Sequence, residues 1–426
     1  MTTAAATTTK TTPPANAPDA PDGDALAGGQ RWLVLALGCG IFMVNLDSRV
    51  IAPLLPTIAT DFHTSVSSAG ILITAYMLPY GLFQLVYGPL SERFGKVRVV
   101  AMMMLVFSVG TAACGLSSSL GVISLLRFLT GVAAAAVFPL TLSYIGDTVP
   151  YAQRQGTIAI LMSASASAAA FSTSVGGLIA QFVSWRFVFP IFGVASGVVT
   201  AMLLVLMGRE IRLPLTTPRP RPRDTYLAAV RAPRMFALLA LVFTEGFLYN
   251  GVFSYLGGYL NHRFALQALT IGLLLGFAGV AQLGAARSLR VLVRRFGERR
   301  LIVVGGSMMG AGYITAALWP VWPLFLTSML LAGAGFALCH STLQTRATET
   351  FPQARSTAVA LFAFSLFLGG GIGTALTGKI IDFLTYNATL LGSGTLLVAF
   401  AFTASRLLLS LPKRVEAAPE SVVTEL

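Results

Sequence analysis

Gly88-Pro89-Leu90-Ser91-Glu92-Arg93-Phe94-Gly95-Lys96-Val97-Arg98 is a polar island between two long apolar runs. Glycines near both ends permit close backbone approach, and Glu92 suits a helix amino terminus. Arg93 is placed to pair with an acid at a neighbouring helix end, Asp147 being the nearest candidate. The island therefore reads as a tight turn between two helices. Its signature recurs: Arg93-Phe94-Gly95 returns as Arg295-Phe296-Gly297, and Asp147-Thr148-Val149-Pro150 returns as Glu349-Thr350-Phe351-Pro352, both at an offset of 202 residues. Two echoes in one register imply a duplicated half. Each half is mostly apolar, so the duplication predicts two pseudo-symmetric bundles of membrane helices with a transport role rather than a soluble enzyme.

Composition points the same way. Hydrophobic residues make up 55% of the 426 and charged residues 11%, with a mean hydropathy of +0.77; a soluble chain carries roughly 25% charged residues. Cys39, Cys114 and Cys339 stand inside apolar runs without the spacing of a disulfide framework or a metal site, so they are read as packing residues. No cofactor, no metal and no enzyme activity are expected. Gly369-Gly370-Gly371-Ile372-Gly373 has the glycine density of a dinucleotide loop, but no strand precedes it, and close helix packing is the better reading.

Twelve apolar segments, at about 32–55, 67–89, 98–117, 120–145, 155–182, 187–208, 235–260, 268–289, 300–319, 322–347, 357–379 and 385–409, each approach the ~20 residues that cross a bilayer as helix. With the amino terminus cytoplasmic, the inside segments hold 24 of the 29 basic residues, including seven between 209 and 234 and six between 287 and 300. The outside keeps Arg186, Arg263 and Lys379, and Arg49 and Arg127 lie within helices. This positive-inside asymmetry assigns the net charge of +13 to anionic inner-leaflet lipid rather than to nucleic acid. The expected organisation is a disordered cytoplasmic tail at 1–30, a six-helix bundle at 31–208 and a cytoplasmic linker at 209–234 that contains Pro218-Arg219-Pro220-Arg221-Pro222-Arg223. A second six-helix bundle at 235–410 and a cytoplasmic tail at 411–426 complete it. Both termini are cytoplasmic in this scheme, the location is the cell (inner) membrane, and a monomer suffices.

The island resembles the signature between helices two and three of the major facilitator superfamily, Gly-x-x-x-Asp-Arg-x-Gly-Arg-Arg, with Glu92 in place of the aspartate and Val97 in place of one basic residue. Arg127-Phe128-Leu129-Thr130-Gly131-Val132-Ala133-Ala134 resembles the helix-four signature of its proton-coupled members, and Ser184-Trp185-Arg186-x-x-Phe189 resembles the start of its helix six. Its drug/proton antiporters carry a helix-five signature ending Gly-Pro-x-x-Gly-Gly. Here Ser172-Thr173-Ser174-Val175-Gly176-Gly177 keeps the closing Gly176-Gly177 pair and has Ser-Thr for Gly-Pro. The resemblance covers about residues 31–410. It implies an all-α membrane fold of twelve transmembrane helices in two six-helix bundles, of the drug/proton antiporter type. It also implies a cytoplasmic latch of Gly88, Glu92, Arg93, Gly95, Lys96 and Asp147. The copy near 290–300 lacks the acid and the first glycine, so the first latch is expected to dominate.

Ionisable groups inside apolar segments are few and costly, and therefore informative. Helix one has Asp47 and Arg49, helix four Arg127, helix seven Glu245 and helix ten His340. At ~1.5 Å per residue, Asp47 and Arg127 fall at comparable depth. A carboxylate in low dielectric holds its proton more tightly, and a guanidinium within ~4–6 Å loosens it. An acid whose partner moves away as the protein rocks thus changes its proton affinity between states, as coupling requires. Asp47 with Arg127 or Arg49 forms the expected proton-coupling set; the residues alone leave the partner open, and the resemblance favours Arg127. A static pair that only fixes packing is the alternative. Glu245 with Tyr249, Asn250 and Tyr255 suits a substrate cavity for a cationic or polar solute, a second proton site, or a buried acid bonded to tyrosine. His340 joins that cavity as a packing histidine or a relay.

The function expected is secondary active transport by alternating access, with a small molecule and protons as partners. Proton-coupled efflux of small amphipathic drugs or metabolites stands first. A proton-coupled uptake symporter for a specific solute is second, and a non-transporting membrane sensor is a distant third.

Overall fold

The computed structural model describes residues 28–207, 222–351 and 354–409. The tails at 1–27 and 410–426, the linker from 208 to 221 and Pro352 of the second echo lie outside the described residues.

The described chain is helical, with no strand. Its spans are α1 (Gly28–Arg49, continued by Ile51–Asp61), α2 (Ile71–Phe94), α3 (Lys96–Cys114), α4 (Leu120–Ala134, continued by Val137–Thr148), α5 (Tyr151–Phe182) and α6 (Trp185–Leu206). The second half has α7 (Pro233–Glu245, a π-turn Gly246–Asn250, then Gly251–Phe253 and Leu256–Phe264), α8 and α9 (the two arms of Ala268–Leu318), α10 (Phe325–Thr350), α11 (Arg355–Phe383) and α12 (Tyr386–Leu409). The long run Ala268–Leu318 breaks at Gly297, where φ is 75° and ψ 157°. Twelve transmembrane helices result, in two pseudo-symmetric bundles of six. Each bundle buries its own apolar side chains: one core is drawn from residues 229–404 with the single addition of Ala52, another from 33–206.

The repeat found in the sequence has a backbone counterpart. Gly95, between α2 and α3, has φ 89° and ψ 139°, close to the values of Gly297 202 residues later. A side chain at positive φ clashes with its own carbonyl at a cost of roughly 1–2 kcal/mol, so glycine is what lets the chain reverse there. The motif at the start of α6 has an equally local cause. The Ser184 hydroxyl accepts the Arg186 amide at 3.2 Å. Arg186 pairs with Asp61 at 2.9 Å and donates to the Ser117 carbonyl at 2.6 Å, clamping the ends of α1 and α3.

Two local features were not marked in the sequence. Within the linker, Pro222–Arg231 is a helix, because Ala229 and Tyr226 lay an apolar face on the core of the second bundle. And α7 is not one continuous helix, since its π-turn inserts an extra residue directly after Glu245.

The bundles meet at the end away from the Gly95 and Gly297 turns. There α5 lies on α8 so closely that a Cβ on Gly177 would overlap the Ala268 carbonyl, and Gly176 faces Val50 of α1 in the same way. Thr173 Oγ1 and Ser174 Oγ both donate to the Gly272 carbonyl, at 3.0 and 3.2 Å, and Ser172 donates to the Leu46 carbonyl. The residues standing in place of Gly-Pro therefore fasten α5 to both bundles. Toward the basic turns α5 and α8 leave each other: among the described residues no neighbouring helix comes within 4 Å of a Cβ placed on Gly156 or Gly284.

Candidate transport site

Asp47 of α1 and Arg127 of α4 meet in the first bundle. Arg127 Nη1 donates to Asp47 Oδ2 at 2.6 Å, and both side chains have 0% exposure. The guanidinium lies 4.2 Å from the centroid of the Tyr76 ring, a desolvated cation–π contact worth about 2 kcal/mol. One carboxylate oxygen and two of the guanidinium nitrogens find no other partner among the described residues. The contact is thus single-point rather than a two-bond fork, so a small rotation can break it. In this conformation the pair is sealed, with Tyr76 between it and the seam of the two bundles. Tyr76 was not singled out in the sequence, where nothing marks which tyrosine faces a buried arginine.

Arg49 does something different. Its guanidinium sits 5.6 Å from the Phe253 ring of the other bundle, and it lines a cavity of about 90 Å³ at the seam. Asn45, Ser48, Asn250, Ser254 and Phe336 share that lining. Arg49 follows Asp47 by two positions, about 200° around a helix, so burying the first turns the second to the opening.

The second bundle holds its own acid–base contact, again between its first and fourth helices. Glu245 of α7 and His340 of α10 are joined at 2.9 Å through Nδ1, Glu245 fully buried and His340 with 16% of its side chain exposed. His340 stacks on Phe336 at 4.7 Å and 11°, Phe336 on Tyr249 at 4.6 Å and 15°, and Tyr249 on Tyr313 at 5.8 Å and 11°. This near-parallel column of four rings meets the seam cavity at Phe336. Of Glu245, Tyr249, Asn250, Tyr255 and His340, Asn250 alone lines the seam cavity. Glu245 is turned to His340, and Tyr249 is spent within the column. Tyr255 bridges the bundles where they touch, donating to the Thr374 carbonyl at 3.0 Å and the Ser67 carbonyl at 3.3 Å. The π-turn is the cause: it changes the rotation of everything after Glu245 relative to a regular helix.

At the basic turns, Lys96 rather than Arg93 makes the ion pair with Asp147. Gly95 ends α2, so Lys96 opens α3, which packs along α4; Arg93 stays on the last turn of α2 and lies 5.2 Å from the Phe94 ring. Gly88 faces the Tyr226 hydroxyl of the linker helix. Burial, and secondarily the Glu92 carboxylate, push the Tyr226 phenol above its usual range, so it stays protonated. The second copy is not short of an acid. Glu298 opens α9 directly after Gly297, where the first copy has Lys96, and it pairs with Arg346 of α10; Arg346 also reaches Glu349 at 3.8 Å. Both turns are clasped, with the signs exchanged.

Two helical bundles with a polar cavity at their seam and buried charge beside it define a membrane carrier. The profile of the Major Facilitator Superfamily matches residues 37–294 and 289–424, and the chain belongs to that superfamily. It is 27% identical to the uncharacterized MFS-type transporter YceJ of Bacillus subtilis over 380 residues, 87% of this chain and 94% of that one. It is 29% identical over 223 residues to the tetracenomycin C resistance and export protein of Streptomyces glaucescens, spanning 52% of this chain and 38% of that longer protein. Among solved structures, a bacterial homolog of the human lysosomal transporter Spinster, in an inward-facing unoccupied conformation, superposes with a TM-score of 0.72 at 19% identity, covering 91% of this chain and 99% of the other. The protein is a multi-pass membrane transporter of this superfamily.

Proposed function

We propose that this transporter exports small amphipathic molecules in exchange for protons, with Asp47 as the proton carrier and Arg127 as the partner that sets its affinity. The observation that carries the reading is the sealed, single-point Asp47–Arg127 contact, with Tyr76 against the guanidinium and on the lining of the seam cavity. With the basic turns on the cytoplasmic side, as the Lys and Arg asymmetry favours, the parting of α5 and α8 there makes this the inward-facing conformation. Rocking about the α5–α8 and α7–α1 contacts then exposes Asp47 in the opposite state. One charge crossing ~100 mV supplies about 2.3 kcal/mol. Likeness to an export protein over half the chain supports the outward direction.

The test uses everted vesicles carrying a pH-sensitive dye, challenged with a substrate panel. Antiport releases protons on substrate addition, and Asp47→Asn, normalised to folded protein in the membrane, abolishes the signal. Proton-driven transport at the wild-type rate in that variant would sink the assignment of Asp47. Acidification of the cell interior by external substrate would replace export with uptake.

A further inference from the structure

We propose that the seam cavity selects small aromatic or amphipathic anions, with Arg49 as the residue that recognises their negative charge. This deepens the export reading by naming a substrate class, and it reverses the cationic preference that Glu245 suggested in the sequence.

The argument is a charge census of the seam. Asp47 is bonded to Arg127 and lies behind Tyr76. Glu245 is bonded to His340 and does not line the cavity. Arg49 does line it, and among the described residues no carboxylate pairs with it; its guanidinium rests over the face of Phe253, with the Tyr249 and Tyr313 hydroxyls in its field. A guanidinium does not lose its charge at physiological pH, so the cavity lining holds a fixed positive charge and, among the described residues, no carboxylate of its own. The energy of such a charge falls when an anion arrives and rises when a cation does.

The surrounding groups suit one ligand geometry. Across from Arg49, the Asn250 side-chain amide makes no hydrogen bond within the described protein and offers two N–H donors to the cavity. The Asn45 amide donates to the Ile41 carbonyl at 2.9 Å, and the Ser48 and Ser254 hydroxyls are committed to carbonyls of their own helices. Arg49 and Asn250, one from each bundle, thus offer free donors that converge on the seam, and the Tyr76 hydroxyl, which also lines the cavity, has no hydrogen-bond partner among the described residues. Together they fit a carboxylate or sulfonate. The remaining lining is divided between aliphatic side chains and the rings of Tyr76, Phe253, Phe336 and Phe367, of which Phe336 is held in the ring column. Ring-on-ring contact adds about 0.5–1.5 kcal/mol per pair to burial. At about 90 Å³ the cavity lies well below the ~300 Å³ at which drug-sized sites begin, so single-ring solutes fit it best. An anion bridging Arg49 and Asn250 would also draw the two bundles together.

The experiment measures equilibrium binding to the purified full chain in detergent, with no gradient. Three single-ring probes are used: benzenesulfonate, benzenesulfonamide and phenyltrimethylammonium. Benzenesulfonate is expected to bind at least about tenfold tighter than the neutral sulfonamide, and the cation more weakly than either. Arg49→Gln should weaken benzenesulfonate about tenfold or more while moving the sulfonamide less than about threefold, and Arg49→Lys should restore part of the preference. Asn250→Ala should weaken the anion from the other side of the seam. Tightest binding of the cation, no measurable binding of any probe, or equal weakening of all three by Arg49→Gln would overturn the proposal; the last result would make Arg49 a packing residue on Phe253. Because binding is read without protons moving, a failed charge preference leaves the export assay untouched, and a failed proton release leaves the preference standing.

Discussion

The two bundles each fasten their first helix to their fourth with one acid–base contact, and the two contacts differ in what they can do. In the first bundle a carboxylate meets a guanidinium with both side chains sealed. In the second a carboxylate meets an imidazole that keeps 16% of its surface exposed. A guanidinium stays charged at any physiological pH, whereas an imidazole exists in either form. The first contact can therefore change its charge only through Asp47. The duplication kept the pair of helices and replaced the side chains; at the 202-residue offset Asp47 corresponds to Tyr249, one turn beyond Glu245. Inherited architecture fixes which two helices are joined, while the position and chemistry of the contact between them are free to diverge.

The largest effect expected from breaking this comparison is that of Asp47→Asn. It leaves Arg127 buried with a charge it cannot shed, at a cost on the order of 3–5 kcal/mol in unfolding free energy. Arg127→Gln should cost clearly less, because the abandoned carboxyl can take up a proton. Thermal unfolding of the purified variants at neutral pH compares the two, and equal losses would refute a pair whose charge resides in its acid. Next come the two turns. Gly95→Ala and Gly297→Ala force a Cβ into positive φ and should each cost about 1–3 kcal/mol by the same measurement; a harmless substitution at either would mean that the turn relaxes out of the shared conformation.

A smaller effect separates the second contact from the first. Glu245→Gln and His340→Gln each remove a hydrogen bond without stranding a permanent charge, so losses of about 0.5–1.5 kcal/mol are expected with proton release still measurable. Abolition of proton coupling by Glu245→Gln would instead give both bundles a proton carrier. Smallest is the pair of exchanged clasps. Lys96→Met and Glu298→Gln remove partly exposed ion pairs worth under about 1 kcal/mol. Unfolding temperatures should barely move, while the rate of conformational exchange, read by cysteine labelling across the cycle, rises. A large stability loss in either would mean that the clasp supports the fold itself.

Much of the architecture was legible in the sequence because membrane helices announce themselves by composition, and because Gly95 and Gly297 sit at positions where only the lack of a side chain allows the chain to turn. The meeting of Asp47 with an arginine was legible too, since both must satisfy themselves in oil. What could not be read was rotation. Asp47 and Arg49 are two positions apart, and which one faces the seam is decided by packing, not by spacing. The π-turn after Glu245 is invisible in a pattern of apolar residues, yet it decides that Asn250 reaches the cavity while Tyr249 and Tyr255 do not. Arg93 was read as the partner of Asp147, and the turn at Gly95 gives that place to Lys96 instead. Tyr226 was hidden for another reason: a short amphipathic helix beside a run of prolines and arginines carries too weak a signal to stand out.

The Gly272 carbonyl has two lone pairs, and the hydroxyls of Thr173 and Ser174 occupy both. The fastening is redundant: either hydroxyl can let go while its neighbour still holds, so the hinge loosens in stages instead of snapping. Thr173→Val or Ser174→Ala alone should pass almost unnoticed, and only their combination should free the joint.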